Sequence, residues 1–405
     1  MLGPSAGRLG PGDQALRIGF QIEHLDPARG GAETYVYRFA EELLAAGHEV
    51  HLFAADFGKV PLGAFSHRIM RRGLSRWGRD LRLARAAERA VRRERLDVTV
   101  AVGHTYGADV LHPHGGTLRG GRRQALRLVR RPALRALKAA FDALSPRVRS
   151  RLLIEARQYA DHPPPEVVAV SRMVWRDVQQ FYGVPDDRLH LVYNGVDLER
   201  FSPAACLSKR QEARAAMRIE WGETCFLLVA HNFRLKGVRE LIEAAAALHR
   251  RTPWRVIVVG KGDARPYERL ARQLGCRDRF SFPGPAADVL PAYAAADAYV
   301  HPTWYDPCSL VVLEALACGL PVVTTAFNGA AELIEDGRDG FLLDTPRNAP
   351  ALAGAMEALL DVGQRAAMGR AARATAEQFS LSRNLRQMVA VLERACARKE
   401  KEGAS

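Results

Sequence analysis

At 405 residues, with 48% hydrophobic and 26% charged side chains, the chain exceeds one ordinary core and is too apolar to be disordered, so two globular domains are expected. Its six cysteines (Cys206, Cys225, Cys276, Cys308, Cys318, Cys396) are scattered, with no CxxC and no histidine at metal spacing, which argues against a disulfide framework or a zinc module and fits a reducing compartment. A net charge of +14 implies an acidic partner, and because no run approaches 18 apolar residues no membrane-spanning helix is expected.

The start, MLGPSAGRLGPGDQ, lacks the apolar core of a secretory signal, so residues 1–15 are expected to be a disordered extension and the protein cytoplasmic. Short β-rich runs then alternate with helical stretches: LRIGFQI (16–22), a helix over Thr34 to Ala46, EVHLFAAD (49–56), DVTVAVG (97–103) and EVVAVS (166–171). Between the last two, residues 119–151 carry eleven Arg or Lys against one acid, Asp142, with Leu126, Leu128, Val129, Leu134 and Leu137 interleaved. That pattern suits an amphipathic helix lying on an anionic membrane surface, or a solvated basic face. Nucleic acid is the other anionic partner, but stacking needs aromatics and the stretch holds only Phe141.

Turn-formers in YNGVDLERFSP (193–203) mark a hinge, after which the alternation resumes with CFLLVA (225–230), RVIVVG (255–260), FSFPG (280–284), AYVHP (298–302), PVVTT (321–325) and GFLL (340–343). Such alternation builds parallel sheets with helices on both faces. The expected fold is therefore α/β, with two doubly wound, Rossmann-like domains facing across a cleft. The first covers 16–200, the second 201–378, and 379–405 form a C-terminal helix, packing back towards the first domain, and a tail. Ligands of such sheets bind beyond the carboxyl ends of the strands.

HPTWYDPCSLVVLEALACGLPVVTT (301–325) lies at one such end and carries Asp306 and Glu314 with seven residues between them. Asp306 falls in the loop after a strand. Ser309 reads as the N-cap of a helix running to Cys318, whose unpaired N–H groups suit a phosphate. Glu314, four residues after Leu310, stays on the same helix face and reaches hydroxyls beside that phosphate. One carboxylate then grips a ribose and the other a sugar. VAHNFRLKGVRELIEAAAAL (229–248) also runs from strand end to helix start, and it puts Arg234 and Lys236 where the helix dipole is already positive, which suits a diphosphate clamp. In the first half, Gly30 and Gly31 permit close backbone approach of a ligand, though a Gly-Gly pair is more often only a turn. VVGKGD (258–263) offers no more than a weak GxG. His112 and His114 flank Pro113 without a third ligand, so no metal is expected, and His114 suits hydrogen bonding to a sugar.

Taken together, GGAE (30–33), VAVS (168–171), NGVDLERFSP (194–203), HNFRLKG (231–237), the 301–325 stretch and NGAAELIEDGRDGFLL after it resemble the retaining family 4 glycosyltransferases of the GT-B fold, over nearly the whole chain. Within that family the basic insertion looks most like the lipopolysaccharide-core heptose glucosyltransferases. The resemblance implies transfer of a sugar, a hexose carried on UDP, from a nucleotide diphosphate to a glycan or lipid-linked acceptor in cell-envelope synthesis. No metal or other cofactor is implied. It maps Glu314 to the donor ribose, Asp306 to hydroxyls of the transferred sugar, and Arg234 and Lys236 to the pyrophosphate. Pro307, Cys308, Ser309, Leu310, Gly30 and Gly31 then line the donor, with His114 beside the reaction. The family's first acid is usually Glu, one methylene longer than Asp306, and its Arg sits further from the Lys than Arg234 does. An epimerase of the same fold is the alternative enzyme, and a basic nucleic-acid-binding protein the alternative class.

Overall fold

The computed structural model describes residues 15–70, 76–161, 164–248 and 252–403. Most of the expected N-terminal extension, 1–15, lies outside the described residues. The chain divides into two compact units, Met1–Tyr193 with Ser382–Ser405, and Asn194–Leu381.

The first unit is built on a seven-stranded parallel sheet in the order Phe65–Arg68, Glu49–Ala54, Arg17–Gln21, Val98–Ala101, Val110–Leu111, Glu166–Ala169, Leu189–Leu191. Its inner strands are continuous apolar runs because helices cover both faces: Ile18, Phe20, Val50, Leu52, Val98 and Val100 are wholly buried. Each such side chain stabilises the fold by roughly 1.5–3 kcal/mol. The order reverses beside Arg17–Gln21, where the crossovers run to opposite sides and leave a crevice at the strands' carboxyl ends.

Residues 119–151 fall within three helices, Leu118–Arg127, Pro132–Leu144 and Pro146–Tyr159. Leu126, Leu128 and Val129 are half-buried. The middle helix buries none of its residues and leaves Leu137, Phe141 and Leu144 at 67%, 75% and 75% exposure. The C-terminal helix Leu381–Gly403 sinks Met388 and Leu392 into the first unit and is pinned by ion pairs of Arg398 with buried Glu166 (3.2 Å) and Lys399 with Asp109 (3.2 Å).

The second unit has a six-stranded parallel sheet in the order Phe280–Gly284, Trp254–Val259, Thr224–Val229, Ala298–His301, Val322–Thr325, Gly340–Leu343. Phe226, Leu228, Val256, Val258, Val300 and Val323 form its core with the helix Val238–Ala245. Its order reverses between Thr224–Val229 and Ala298–His301, so the loops following those strands meet. The division between units lies at 193/194 and 381/382, not at 200/201 and 378/379. Local hydrogen bonding explains the shift. Val196 pairs with the backbone of Phe379 and Leu381 (2.9 and 2.8 Å), the Asn194 amide donates to the Cys308 carbonyl (2.7 Å), and Ser202 caps the helix Pro203–Ala216.

Candidate functional site

Two loops make the site in the second unit. After Thr224–Val229 the chain turns through 230–237, with the Asn232 side chain accepting from Leu235 N (3.1 Å) and Gly237 in the left-handed region at φ 78°. A Cβ at Gly237 would stand 2.0 Å from the Pro302 carbonyl oxygen, so glycine is what lets this loop lie against the one after Ala298–His301. Trp304 N and the Thr303 hydroxyl both donate to the Leu235 carbonyl (2.8 and 3.2 Å). A third loop locks the second: Asp306 N donates to Phe327 O (3.0 Å), and Gly329 N donates to Asp306 O (2.8 Å).

This contact delivers Lys236 to Asp306. Nζ donates to Oδ2 at 2.5 Å, with side chains only 19% and 13% exposed. His301, wholly buried, places Nε2 3.3 Å from the same oxygen, and its Nδ1 lies 3.2 Å from the Tyr299 hydroxyl. Burial pushes the Asp306 carboxyl up, but the Lys236 ammonium and the neighbouring His301 outweigh it and hold the group well below the usual carboxylate range. His301 moves down, chiefly because burial disfavours imidazolium, so it is neutral at pH 7. Asp306, expected to meet the sugar, and Lys236, expected to meet the phosphate, are ion-pair partners in the structure. Arg234 is exposed on the same turn.

The helix Leu310–Ala317 begins beside Asp306. Ser309 occupies the N-cap position, but its side chain makes no capping bond; the hydroxyl is buried with no hydrogen-bond partner. The first-turn N–H groups are therefore not occupied by their own cap. Cys308 is buried, while Pro307 and Leu310 are half-buried. Glu314, also half-buried, accepts from the Tyr293 hydroxyl at 2.8 Å. Asn328 braces the region, its carbonyl oxygen accepting from Ala330 N (3.0 Å) and Ser309 N (3.4 Å). The GxG of VVGKGD is explained by packing. A Cβ at Gly260 would lie 1.7 Å from Ala230 O, and one at Gly262 would strike the Phe233 ring at 2.6 Å.

In the first unit a cavity of about 380 Å³ opens beyond the strands' carboxyl ends, lined by Glu23, Glu33, His104, His112, Thr117 and Arg122 among others. Gly30 is in extended backbone and Gly31 opens the helix Gly31–Ala46. His112 and His114 are both buried and both stack on Tyr35 (ring centroids 4.9 and 5.1 Å), but it is His112, and not His114 to which the sugar contact is assigned, that lines the cavity. Neither ring nitrogen of His112 has a hydrogen-bond partner, and burial followed by the charge of His114 pushes its pKa down to about 3. Glu23, 3.3 Å from His104, is raised by burial but lowered more by that histidine together with Arg151 and His24, to about 2. His301, Asn328 and Tyr293 were likewise missed; only the place of His301 at a strand's end signalled a site.

Residues 29–200 match the family described as Glycosyltransferase Family 4, and residues 224–362 the one described as Glycosyl transferases group 1. Among curated proteins, a D-inositol 3-phosphate glycosyltransferase of Salinispora tropica is 34% identical over 268 residues, 62% of this chain and 55% of that protein. The lipopolysaccharide glucosyltransferase WaaG of Escherichia coli strain K12 is 33% identical over 172 residues, 42% of this chain and 46% of that protein. The chain spans about half the length of the curated relatives it matches, for example 55% and 50%. Among solved structures, that of WaaG, a glycosyltransferase involved in lipopolysaccharide biosynthesis, superposes with TM-score 0.80 at 23% identity, covering 93% of this chain and 99% of that one. Anabaena HepE in complex with UDP and glucose gives 0.70 at 20% identity, covering 93% and 98%.

Proposed function

Because the chain belongs to the family 4 glycosyltransferases, we propose that it transfers a hexose, with retention of anomeric configuration, from a UDP-sugar to a glycan or lipid-linked acceptor of the cell envelope. The observation that carries the reading is the buried Lys236–Asp306–His301 cluster beside an uncapped helix start. An anion arriving there meets the Lys236 ammonium, the first-turn N–H groups and exposed Arg234, which together stabilise a departing diphosphate. Lys236 turns from Asp306 to the phosphate, and the freed carboxylate accepts from hydroxyls of the transferred sugar. Glu314, oriented by Tyr293, takes the ribose hydroxyls. The acceptor hydroxyl attacks on the face the diphosphate leaves and hands its proton to that phosphate. Cation stabilisation and positioning supply the rate, with no cofactor and no side-chain nucleophile.

The cavity of the first unit, with Glu23, Glu33, His104 and Arg122 set in a largely apolar lining, suits the acceptor, with His112 in its wall, His114 stacked against that ring, and Gly30 and Gly31 letting backbone approach the ligands. The exposed apolar stripe Leu137, Phe141 and Leu144, flanked by Arg130, Arg131, Arg135 and Lys138, supports peripheral docking on an anionic membrane where a lipid-linked acceptor resides. No helix among the described residues is long and apolar enough to cross a membrane.

A panel of nucleotide sugars, read by protection against thermal unfolding and by product analysis with candidate acceptors, tests the reading. Protection by one UDP-hexose with acceptor-dependent release of UDP is expected. Interconversion of the sugar without acceptor identifies the epimerase instead. Protection by RNA and by no nucleotide sugar overturns both.

A further inference from the structure

We propose that the first unit carries a structural divalent-cation site of the zinc class, with His51, His67 and Glu94 as its protein ligands. The three come from separate elements: His51 from Glu49–Ala54, His67 from the edge strand Phe65–Arg68, and Glu94 just past the helix Arg76–Arg93. The parallel register pairs His51 with Phe65 and Phe53 with His67, so alternation puts all four side chains on one face of the sheet. One ligand atom from each of His51, His67 and Glu94 lies within 4.8 Å of the others.

The proton arrangement points the same way. His51 is buried, and its Nε2 lies 2.6 Å from Glu49 Oε1, which is itself held by Arg17 Nε at 2.8 Å. With the Nε2 proton directed at Glu49, the lone pair of Nδ1 points at His67 Nε2, 2.9 Å away. A carboxylate fixing one imidazole nitrogen so that the other can ligate is the usual support of a metal-bound histidine. The nitrogen separation is near the roughly 3.3 Å edge of a tetrahedron with 2.0–2.1 Å bonds. Glu94, half-buried at a helix end, lies 3.6 Å from His67 Nδ1, the ring nitrogen on the other side from Nε2, and closes the third position by swinging its carboxylate round the ring edge towards Nε2. Two imidazoles and one carboxylate, without a thiolate, select Zn²⁺, Co²⁺ or Ni²⁺ over Ca²⁺ or Mg²⁺. Glu49 and Arg17 open their strands, so the site lies at the amino end of the sheet, away from the cavity of His112. Its work is to staple a four-residue edge strand and a helix end to the sheet.

The test is metal titration of the full chain, freed of metal by a chelator and carrying no histidine tag, with Zn²⁺ competed against a chromophoric chelator and with Co²⁺ followed by its visible absorption. One equivalent should bind, with the intense bands of four-coordinate Co²⁺. His67→Gln and Glu94→Gln, both at half-buried positions, should each weaken Zn²⁺ by at least about tenfold, and Glu49→Gln by about 10- to 100-fold. Protection by UDP-sugar should be unchanged in all three. Absence of stoichiometric binding, absence of the Co²⁺ bands, or wild-type affinity in both His67→Gln and Glu94→Gln overturns the proposal.

Discussion

Lys236→Ala removes one member of a mostly buried ion pair whose atoms are 2.5 Å apart, so its consequences reach beyond catalysis. Breaking such a pair leaves an uncompensated carboxylate and costs about 3–5 kcal/mol. His301, neutral and 3.3 Å away, compensates only in part. Replacing both partners, as Lys236→Met with Asp306→Leu, removes both desolvation costs and should be nearly neutral for stability. The pH dependence follows from the depressed Asp306 pKa. Stability from the pair is fully present above the unfolded carboxylate pKa of about 3.9 and lost as pH falls through the lower folded value. Without Lys236 the upward push of burial is opposed by His301 alone, so in Lys236→Ala the carboxyl titrates at higher pH than in the wild type and acid unfolding begins earlier. Urea unfolding of the wild type, both single variants and the double variant, at pH 7 and 4.5, measures the coupling. Transfer by Lys236→Ala should fall by about two to three powers of ten. A coupling under about 0.5 kcal/mol together with near-normal turnover would refute both the ion pair and its catalytic use.

Gly237→Ala should destabilise the second unit by about 1–3 kcal/mol from its positive φ alone, with the contact to Pro302 adding to this, and should lower turnover by displacing Lys236; wild-type melting and activity would disprove the loop contact. Glu314→Gln should weaken UDP and UDP-sugar alike, by about 1.5–3 kcal/mol in calorimetric titration, whereas Asp306→Asn should spare UDP and abolish transfer; equal losses of UDP affinity would show that the two carboxylates do not divide the donor. Phe141→Glu should abolish binding to anionic vesicles while leaving thermal stability within about 0.5 kcal/mol, since the side chain packs on little of the protein; unchanged, salt-insensitive binding would place the membrane contact elsewhere.

Periodicity alone was enough to read the parallel α/β class, the six strands of the second sheet, four of the seven strands of the first and the helical character of the basic stretch. Each depends on a repeat of two or 3.6 residues, which neighbouring side chains display; Phe65–Arg68, Val110–Leu111 and Leu189–Leu191 are too short to show one. Ser309 at a helix start was legible for the same reason, although its unpartnered hydroxyl was not. The pairings that make the sites lie beyond any local repeat. Lys236 and Asp306 are separated by 70 residues and meet because two crossovers bring their loops together, with Gly237 permitting the approach. His51, His67 and Glu94 converge from two strands and a helix end, and His112 lines the cavity while its neighbour in the same ring stack, His114, does not. Side-chain pattern sets which segments are strands and which are helices, since that choice is decided by contacts along the chain. Which charges meet is decided by the order and register of the strands, set when the whole sheet is buried at once.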